Sequence, residues 1–340
     1  MQLPNILTQN TQKIILCFSI IVTGRCNANC SYCHFFATRN RQSIEYDISD
    51  KLFDTYVLFL SRVKRILPAN IELQCRFSGG EPLLLGDRLF KLARRIYQSV
   101  SIRPFILTNG SLINKEFIDA AKQNPFINFL YVSLENPLEP DRGAFNSEEI
   151  MKKMMKYNSK RLPIIPAVAV INNEHFKNLY KICKIFYKKL RCLPTISELN
   201  YSLFTSPTKK QLEELYENVF KIVKFFHLKT AIKLFPYISP ELCYGGFPHY
   251  IIELNLENKH GLTKNSINGK LIPVLNQLKK SYPELHCKHK DCDWYNDCRL
   301  VKWVWKKGFG KMNPSKKIKN YCGMKKIINV AFFKALKSFK

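Results

Sequence analysis

Residues 23–34 read Thr23-Gly24-Arg25-Cys26-Asn27-Ala28-Asn29-Cys30-Ser31-Tyr32-Cys33-His34, directly after an apolar run over residues 14–22 that has the character of a strand. Cys26, Cys30 and Cys33 are spaced as Cys-x3-Cys-x2-Cys. Three thiolates on one short loop can each take one iron of a four-iron cubane. The fourth iron then lacks a protein ligand, the iron–sulfur counterpart of a metal site that keeps an open position. Two plainer readings compete, a zinc knuckle or three core cysteines. Zinc sites are usually built from paired Cys-x2-Cys hooks with four ligands, so one three-cysteine loop suits zinc poorly.

Beyond the loop, helical and strand-like patterns alternate. Residues 50–67 carry apolar side chains at Leu52, Phe53, Tyr56, Phe59, Leu60 and Val63, a helical stripe closed by Pro68. Residues 71–77 are strand-like and run into Ser78-Gly79-Gly80-Glu81-Pro82. The pattern predicts helices over 89–100, 115–122, 148–157, 176–190 and 209–226. It predicts strands over 105–107, 127–134, 163–171 and 196–204. Parallel strands need crossover helices, so this alternation argues for a parallel sheet, and six units suit a partly closed (β/α)6 barrel. In parallel barrels the site gathers at the C-terminal ends of the strands. The cysteine loop, the Gly79-Gly80-Glu81 turn and the Thr108-Asn109-Gly110 turn all fall at such ends.

From about Leu228 the alternation stops, glycines punctuate short segments, and four cysteines follow between Cys287 and Cys322. The reading is therefore two domains, residues 1–227 as the barrel and 228–340 as a small α+β cysteine-rich domain. The latter ends in a basic, apolar-faced segment over 325–340 that suits a docked terminal helix or a membrane-surface one.

A chain of 340 residues with 46% hydrophobic and 13% aromatic content has ample material for a large core and a smaller one. The early apolar run is far short of a membrane span and no export signal stands before it. With twelve cysteines, this points to metal ligation in the cytoplasm rather than disulfides. The formal charge of +28 is uneven: 17 basic against 14 acidic residues in 1–150, and 37 against 12 in the remainder. Such a half attracts polyanions or acidic peptides, yet no RNA-binding signature interleaves its lysines, and nucleic acid is not the expected partner.

The Cys26-Cys30-Cys33 loop after a first strand, with Gly79-Gly80-Glu81 after the second, resembles the radical S-adenosylmethionine (SAM) superfamily. That resemblance implies a [4Fe-4S] cluster on the three cysteines and SAM on its open iron. Reductive cleavage would give methionine and a 5′-deoxyadenosyl radical that takes a hydrogen atom from substrate. Tyr32 would lie beside the adenine, and Ser78, Gly79, Gly80 and Glu81 would form the turn at the SAM amino group. Glu81 would either accept from the ammonium or fix the loop through backbone donors. Asn109 would join the cofactor-binding set, and Ser133 would reach the SAM ribose. Glu135-Asn136 replaces the Asp-Gly usual in relatives. Arg142, Val170 and Asn173 are weaker matches to SAM-contacting positions.

Cys287, Cys292, Cys298 and Cys322 are enough to ligate a closed second cluster, and serve a structural zinc equally well. Their spacing looks like the SPASM/twitch extensions of peptide-modifying radical SAM enzymes, which implies a second, auxiliary [4Fe-4S] cluster. One of the two auxiliary clusters of a full SPASM domain has lost its ligands here, leaving Cys243 alone. Cys243 is then a candidate hydrogen-atom donor, a small buried hydrophobe, or a remnant. The resemblance implies a radical SAM maturase acting on a ribosomally made peptide or protein, giving a crosslink, oxidation or epimerisation. Its electrons would come from a donor such as flavodoxin or ferredoxin. RNA or a small molecule is the alternative substrate.

Overall fold

The computed structural model describes residues 14–28, 30, 33, 45–67, 71–135, 146–171, 173–190, 196–198, 208–229, 249–254 and 256. Strand β1 (Ile14–Thr23) is followed by helix α1 (Asp50–Ile66), β2 (Ile71–Gly79), α2 (Asp87–Val100), β3 (Phe105–Thr108) and α3 (Lys115–Gln123). Then come β4 (Leu130–Glu135), α4 (Ser147–Tyr157), β5 (Ile164–Ile171), α5 (Leu179–Leu190), β6 (Ile196–Glu198), α6 (Lys209–Lys229) and β7 (His249–Leu254). Short 3-10 turns precede α2 and α5.

All recorded strand pairs are parallel, and the sheet order is β6-β5-β4-β3-β2-β1-β7. From β1 to β6 each crossover steps to the next position in one direction. Right-handed crossovers then put successive helices on one face, which winds the sheet toward a barrel with its helices outside.

The helix-covered face is apolar because its residues recur with the periods of their elements. Leu16, Phe18, Ile20 and Val22 of β1, every second residue, are buried, as are Phe53, Tyr56, Phe59, Leu60 and Val63 of α1. Phe18 meets Phe59 edge to face with centroids 5.5 Å apart, and Phe53 meets Phe77 of β2 at 6.1 Å. Side-chain caps fix where helices begin. Ser49 accepts from the Leu52 amide, Asn114 from Phe117 and Asn146 from Glu148.

The opposite, inner face of the same strands is more polar. In register across it stand Ser19 of β1, Arg76 of β2 and Phe105 of β3, with Ser78 next along β2 and Tyr131 paired with Leu107. Ser19 is fully buried yet satisfied, sharing a 2.7 Å hydrogen bond with Ser78 and accepting from Arg76 Nε at 3.0 Å. On β4, Leu130, Val132 and Leu134 are buried while Tyr131 and Ser133 are half-buried, the period-2 signature of two unlike faces.

Two boundaries differ from the sequence reading. The fourth strand begins at Leu130 rather than 127: residues 124–126 close a tight turn through Phe126 N to Asn124 O, and Asn128 N donates to Pro104 O just before β3. The sheet also takes in a seventh strand, beyond the boundary drawn at residue 227. β7 pairs with β1 from Ile15↔His249 to Ile20↔Leu254. A single apolar run with no helical pattern after it gave no sign that it belonged to the barrel. Of the predicted sixth strand, residues 196–198 are described and 199–204 are not. The cysteine-rich segment and the tail at 325–340 lie outside the described residues.

Candidate active site at the C-terminal end of the first strand

The loop that follows β1 is held from two sides. Beneath it passes the Gly79-Gly80-Glu81 turn. Gly80 N donates to Thr23 O at 2.9 Å and Glu81 N to Arg25 O at 2.7 Å. A Cβ on Gly79 would stand 2.1 Å from Thr23 O, and one on Gly80 2.0 Å from Arg25 O; Gly79 also has φ +137°. Only glycines fit there, because the backbone they approach is that of the cysteine loop.

On the other side is Asp47. Its carboxylate accepts from Thr23 Oγ1 at 2.6 Å and takes a two-pronged bond from Arg25, Nε at 2.9 Å and Nη2 at 2.8 Å. Burial pushes the Asp47 carboxyl up, but hydrogen bonds from Arg25 and Thr23 and the charges of Arg25 and Arg88 outweigh that and hold it below the ordinary range. Ile48 N to Val22 O and Gly24 N to Tyr46 O continue the same clamp along the backbone.

Glu81 is completely enclosed. Its Oε1 accepts from Leu83 N at 3.0 Å and Thr108 Oγ1 at 2.7 Å, and its Oε2 from Asn109 N at 2.7 Å. These bonds join the β2 and β3 turns, the geometry of the loop-fixing alternative. The β3 turn then reaches the cysteine loop itself. Asn109 Nδ2 donates to Asn27 Oδ1 at 3.0 Å and Asn27 Nδ2 to Ser111 Oγ at 3.1 Å, while Asn109 Oδ1 accepts from Ser111 N and Oγ.

Cys26, Cys30 and Cys33 are all half-buried on this platform. Cys26 Sγ accepts from Ala28 N at 3.4 Å, and Cys33 N donates to Cys30 O at 3.1 Å. Burial pushes the Cys26 thiol up to about 11; the Ala28 amide opposes this, while Glu81, Cys33 and Cys30 add to it. Bound iron would supply the positive charge that favours the Cys26 thiolate against these effects. Among the described residues no three Cys, His, Asp or Glu side chains converge as ligands of a single metal ion.

Ser78 is buried against Ser19 beside this platform, Asn109 is half-buried at its edge, and Ser133 lies half-buried near the end of β4. Val170 and Asn173 fall in β5 and the turn after it, where side chains are not described. Tyr32, Arg142, Cys243, Cys287, Cys292, Cys298 and Cys322 lie outside the described residues. Cys17, Cys75 and Cys183 are buried in the core, where burial raises their thiols.

The residues that sequence reasoning missed are Arg25, Asp47, Asn27, Ser111 and Arg76. Arg25 and Asn27 flank Cys26, so their position was a signal. Asp47 and Ser111 gave none, since their partners lie 22 and 84 residues away.

Comparison with known proteins agrees with this geometry. A family model described as the Radical SAM superfamily matches residues 20–183. A cysteine-type anaerobic sulfatase-maturating enzyme of Clostridium perfringens is 26% identical over 217 residues, covering 56% of this chain and 56% of that protein. The chain thus spans little more than half of that relative. A protein of the same description from Clostridium novyi is 25% identical over 328 residues, 82% of this chain and 84% of its own length. The solved structure of native anSMEcpe with bound AdoMet and Cp18Cys peptide superposes with a TM-score of 0.60. It shares 16% identity and covers 96% of this chain and 100% of that one, a likeness of fold.

Proposed function

We propose, from the premise that residues 20–183 place the chain in the radical SAM superfamily, that it is an enzyme that modifies a peptide or protein. The observation that carries the reading is the cysteine loop seated on the Gly80 and Glu81 amides at the C-terminal end of β1. Cys26, Cys30 and Cys33 would hold a [4Fe-4S] cluster. When bound, that cluster and SAM supply a 5′-deoxyadenosyl radical able to take hydrogen from an unreactive carbon.

What the chain's own residues contribute is position. Arg25 and Asp47 fix the limb that carries Cys26. Glu81 and Asn109 lock the neighbouring turns, which supports a SAM-binding role for Ser78, Gly79, Gly80 and Ser133, with Tyr32 proposed for the adenine. A half-buried inner face excludes water from reactive species. The two clostridial relatives are described as sulfatase-maturating enzymes and one similar structure holds a peptide, which supports a peptide or protein substrate.

Residues 228–340, apart from β7 in the barrel sheet, would form the second domain, with Cys287, Cys292, Cys298 and Cys322 holding an auxiliary [4Fe-4S] cluster and Cys243 a candidate hydrogen donor. The reaction class stays within crosslinking, oxidation or epimerisation. The strongly basic later half suits an acidic leader segment of the substrate, and a flavodoxin or ferredoxin in the cytoplasm would supply electrons.

The test is anaerobic reconstitution with iron and sulfide, reduction, and measurement of 5′-deoxyadenosine from SAM. Formation that disappears in the Cys26→Ala, Cys30→Ala, Cys33→Ala triple variant supports the reading. Reconstituted, reduced protein that leaves SAM intact refutes it. The charge of the later half also motivates an RNA substrate. Affinity for transfer RNA falling steeply with salt would favour that second reading.

A further inference from the structure

The chain leaves β1 at Thr23, carries Cys26, Cys30 and Cys33, and comes back antiparallel to the end of that strand, with Thr23 bridged to Asp47. Gly24 N to Tyr46 O and Ile48 N to Val22 O complete the closure. The outgoing limb grows out of the sheet, whereas the returning limb, residues 46–48, lies outside the seven-stranded sheet. Whatever fixes the returning limb therefore helps to decide where the cysteines stand.

Arg88 of α2 is placed to fix it. Its Nη2 donates to Ile48 O and lies 3.5 Å from Asp50 Oδ1, and its Nη1 lies 3.9 Å from Asp47 Oδ2. One guanidinium thus spans the segment from the carboxylate that holds Arg25 to the first residue of α1. A cation in the first turn of a helix opposes the helix dipole, so the stability of α2 does not account for an arginine there; the contacts to residues 47–50 do.

The helix that carries Arg88 also continues the glycine turn, with Arg88 seven residues after Glu81. The segment from β2 into α2 accordingly grips the cysteine loop twice. The Gly80 and Glu81 amides hold Thr23 O and Arg25 O on the outgoing limb, and Arg88 holds the returning one. Arg95, two turns further along α2, makes a useful contrast. Among the described residues its hydrogen bonds and ion pairs go to Asp50 and Asp54, and its guanidinium lies over the Phe53 ring at 5.0 Å. It ties α2 to α1 without reaching the loop closure.

We infer that Arg88 is a positioning residue for the cluster, acting on Cys26 through residues 46–48 and the Asp47–Arg25 pair. The inference rests on the radical SAM reading above and adds to it a residue from the helix layer. Without Arg88, Ile48 O and Asp47 turn to water, the returning limb shifts, and the Arg25 fork shifts with it. Cys26, the next residue in the chain, then presents its iron differently to SAM. Outer partners of metal ligands commonly govern affinity at a site by tenfold or more.

The test uses full-length wild type, Arg88→Gln, Arg88→Lys and Arg95→Gln, each reconstituted anaerobically, reduced and titrated with SAM under electron paramagnetic resonance, with denaturant titrations alongside. In Arg88→Gln the SAM-sensitive component should need about tenfold more SAM for half-saturation, and its SAM-bound line shape should change. Arg88→Lys, which keeps the charge near Asp47 and Asp50 but not the fork, should recover part of both. Arg95→Gln should lose stability while keeping the wild-type SAM response and line shape.

Wild-type response and line shape in a folded Arg88→Gln overturn the inference. So does an Arg95→Gln variant that reproduces the Arg88→Gln effect, since loosening of α1 against α2 would then explain both. Should Arg88→Gln fail to fold, Arg88→Lys carries the test: a smaller shift in the same direction supports the inference, and a wild-type response overturns it. A wild type with no SAM-sensitive component removes the radical SAM reading and this inference with it. A SAM-sensitive wild type matched by Arg88→Gln counts against Arg88 alone.

Discussion

On the helix side of the sheet, Phe18, Phe77, Ile106 and Val132 are sealed beneath a layer that includes Phe53 and Phe59 of α1 and Ile150 of α4. On the inner side of the same strands stand Ser19, Arg76, Ser78, Tyr131 and Ser133. Strands of a parallel sheet covered on both faces are usually apolar throughout. Here the second face spends hydrogen bonds on holding polar side chains, Ser19 to Ser78 and Arg76 to Ser19, where Val or Leu would pack without them. The difference separates stability from function: one face holds the fold together, and the other presents groups to whatever enters the barrel.

The comparison breaks most visibly if stability turns out to be spread evenly over both faces. Phe59→Ala should cost about 3–5 kcal/mol, read as a fall in the denaturant midpoint, because a fully buried ring against Phe18 is replaced by a cavity. Gly80→Ala should come next. Its Cβ collides with Arg25 O, so the turn or the cysteine loop must move. The expected outcome is iron lost during desalting after reconstitution, with a stability cost of about 1–3 kcal/mol.

Asp47→Asn removes the anchor of Arg25 and should cost about 1 kcal/mol near neutral pH, given how exposed the pair is. Because the folded carboxyl lies below its ordinary 3.8, its contribution is complete above that value and lost as pH falls through the depressed one. The stability gap between wild type and Asp47→Asn should therefore close on acidification and stay constant from neutral to mildly alkaline pH. Denaturant titrations at several pH values check this.

Smallest in stability should be Ser133→Ala on the inner face, within about 0.5 kcal/mol of wild type. It should nonetheless weaken SAM binding measurably by equilibrium dialysis. A Ser133→Ala variant that is destabilised as much as Phe59→Ala, with SAM affinity intact, would reverse the roles of the two faces.

The helix side was legible in the sequence because burial against one neighbour leaves a period. Leu52, Phe53, Tyr56, Phe59, Leu60 and Val63 announce α1, and the alternating Leu130 to Leu134 announces β4 with its two unlike faces. The cysteine spacing and the glycine pair were legible as chemistry, although the glycines prove to face the backbone of Thr23 and Arg25 as closely as any ligand could. What could not be read is every contact made between distant segments. Asp47 looks like an ordinary loop acid until it is seen in the fork of Arg25, and Ser111 like a turn residue until Asn27 meets it. β7 escaped because a strand added beside β1 needs no helix after it. Arg76 was hidden by composition, one of 54 basic residues with nothing in its neighbours to mark it as inward-facing.

The central claim is that Cys26, Cys30 and Cys33 carry a cluster whose open iron takes SAM, and electron paramagnetic resonance of the reduced, reconstituted protein tests it most directly. The account predicts a [4Fe-4S] signal that changes shape when SAM is added, and that this SAM-sensitive component is absent from the triple cysteine variant. A signal indifferent to SAM, or one that survives unaltered in that variant, would contradict it.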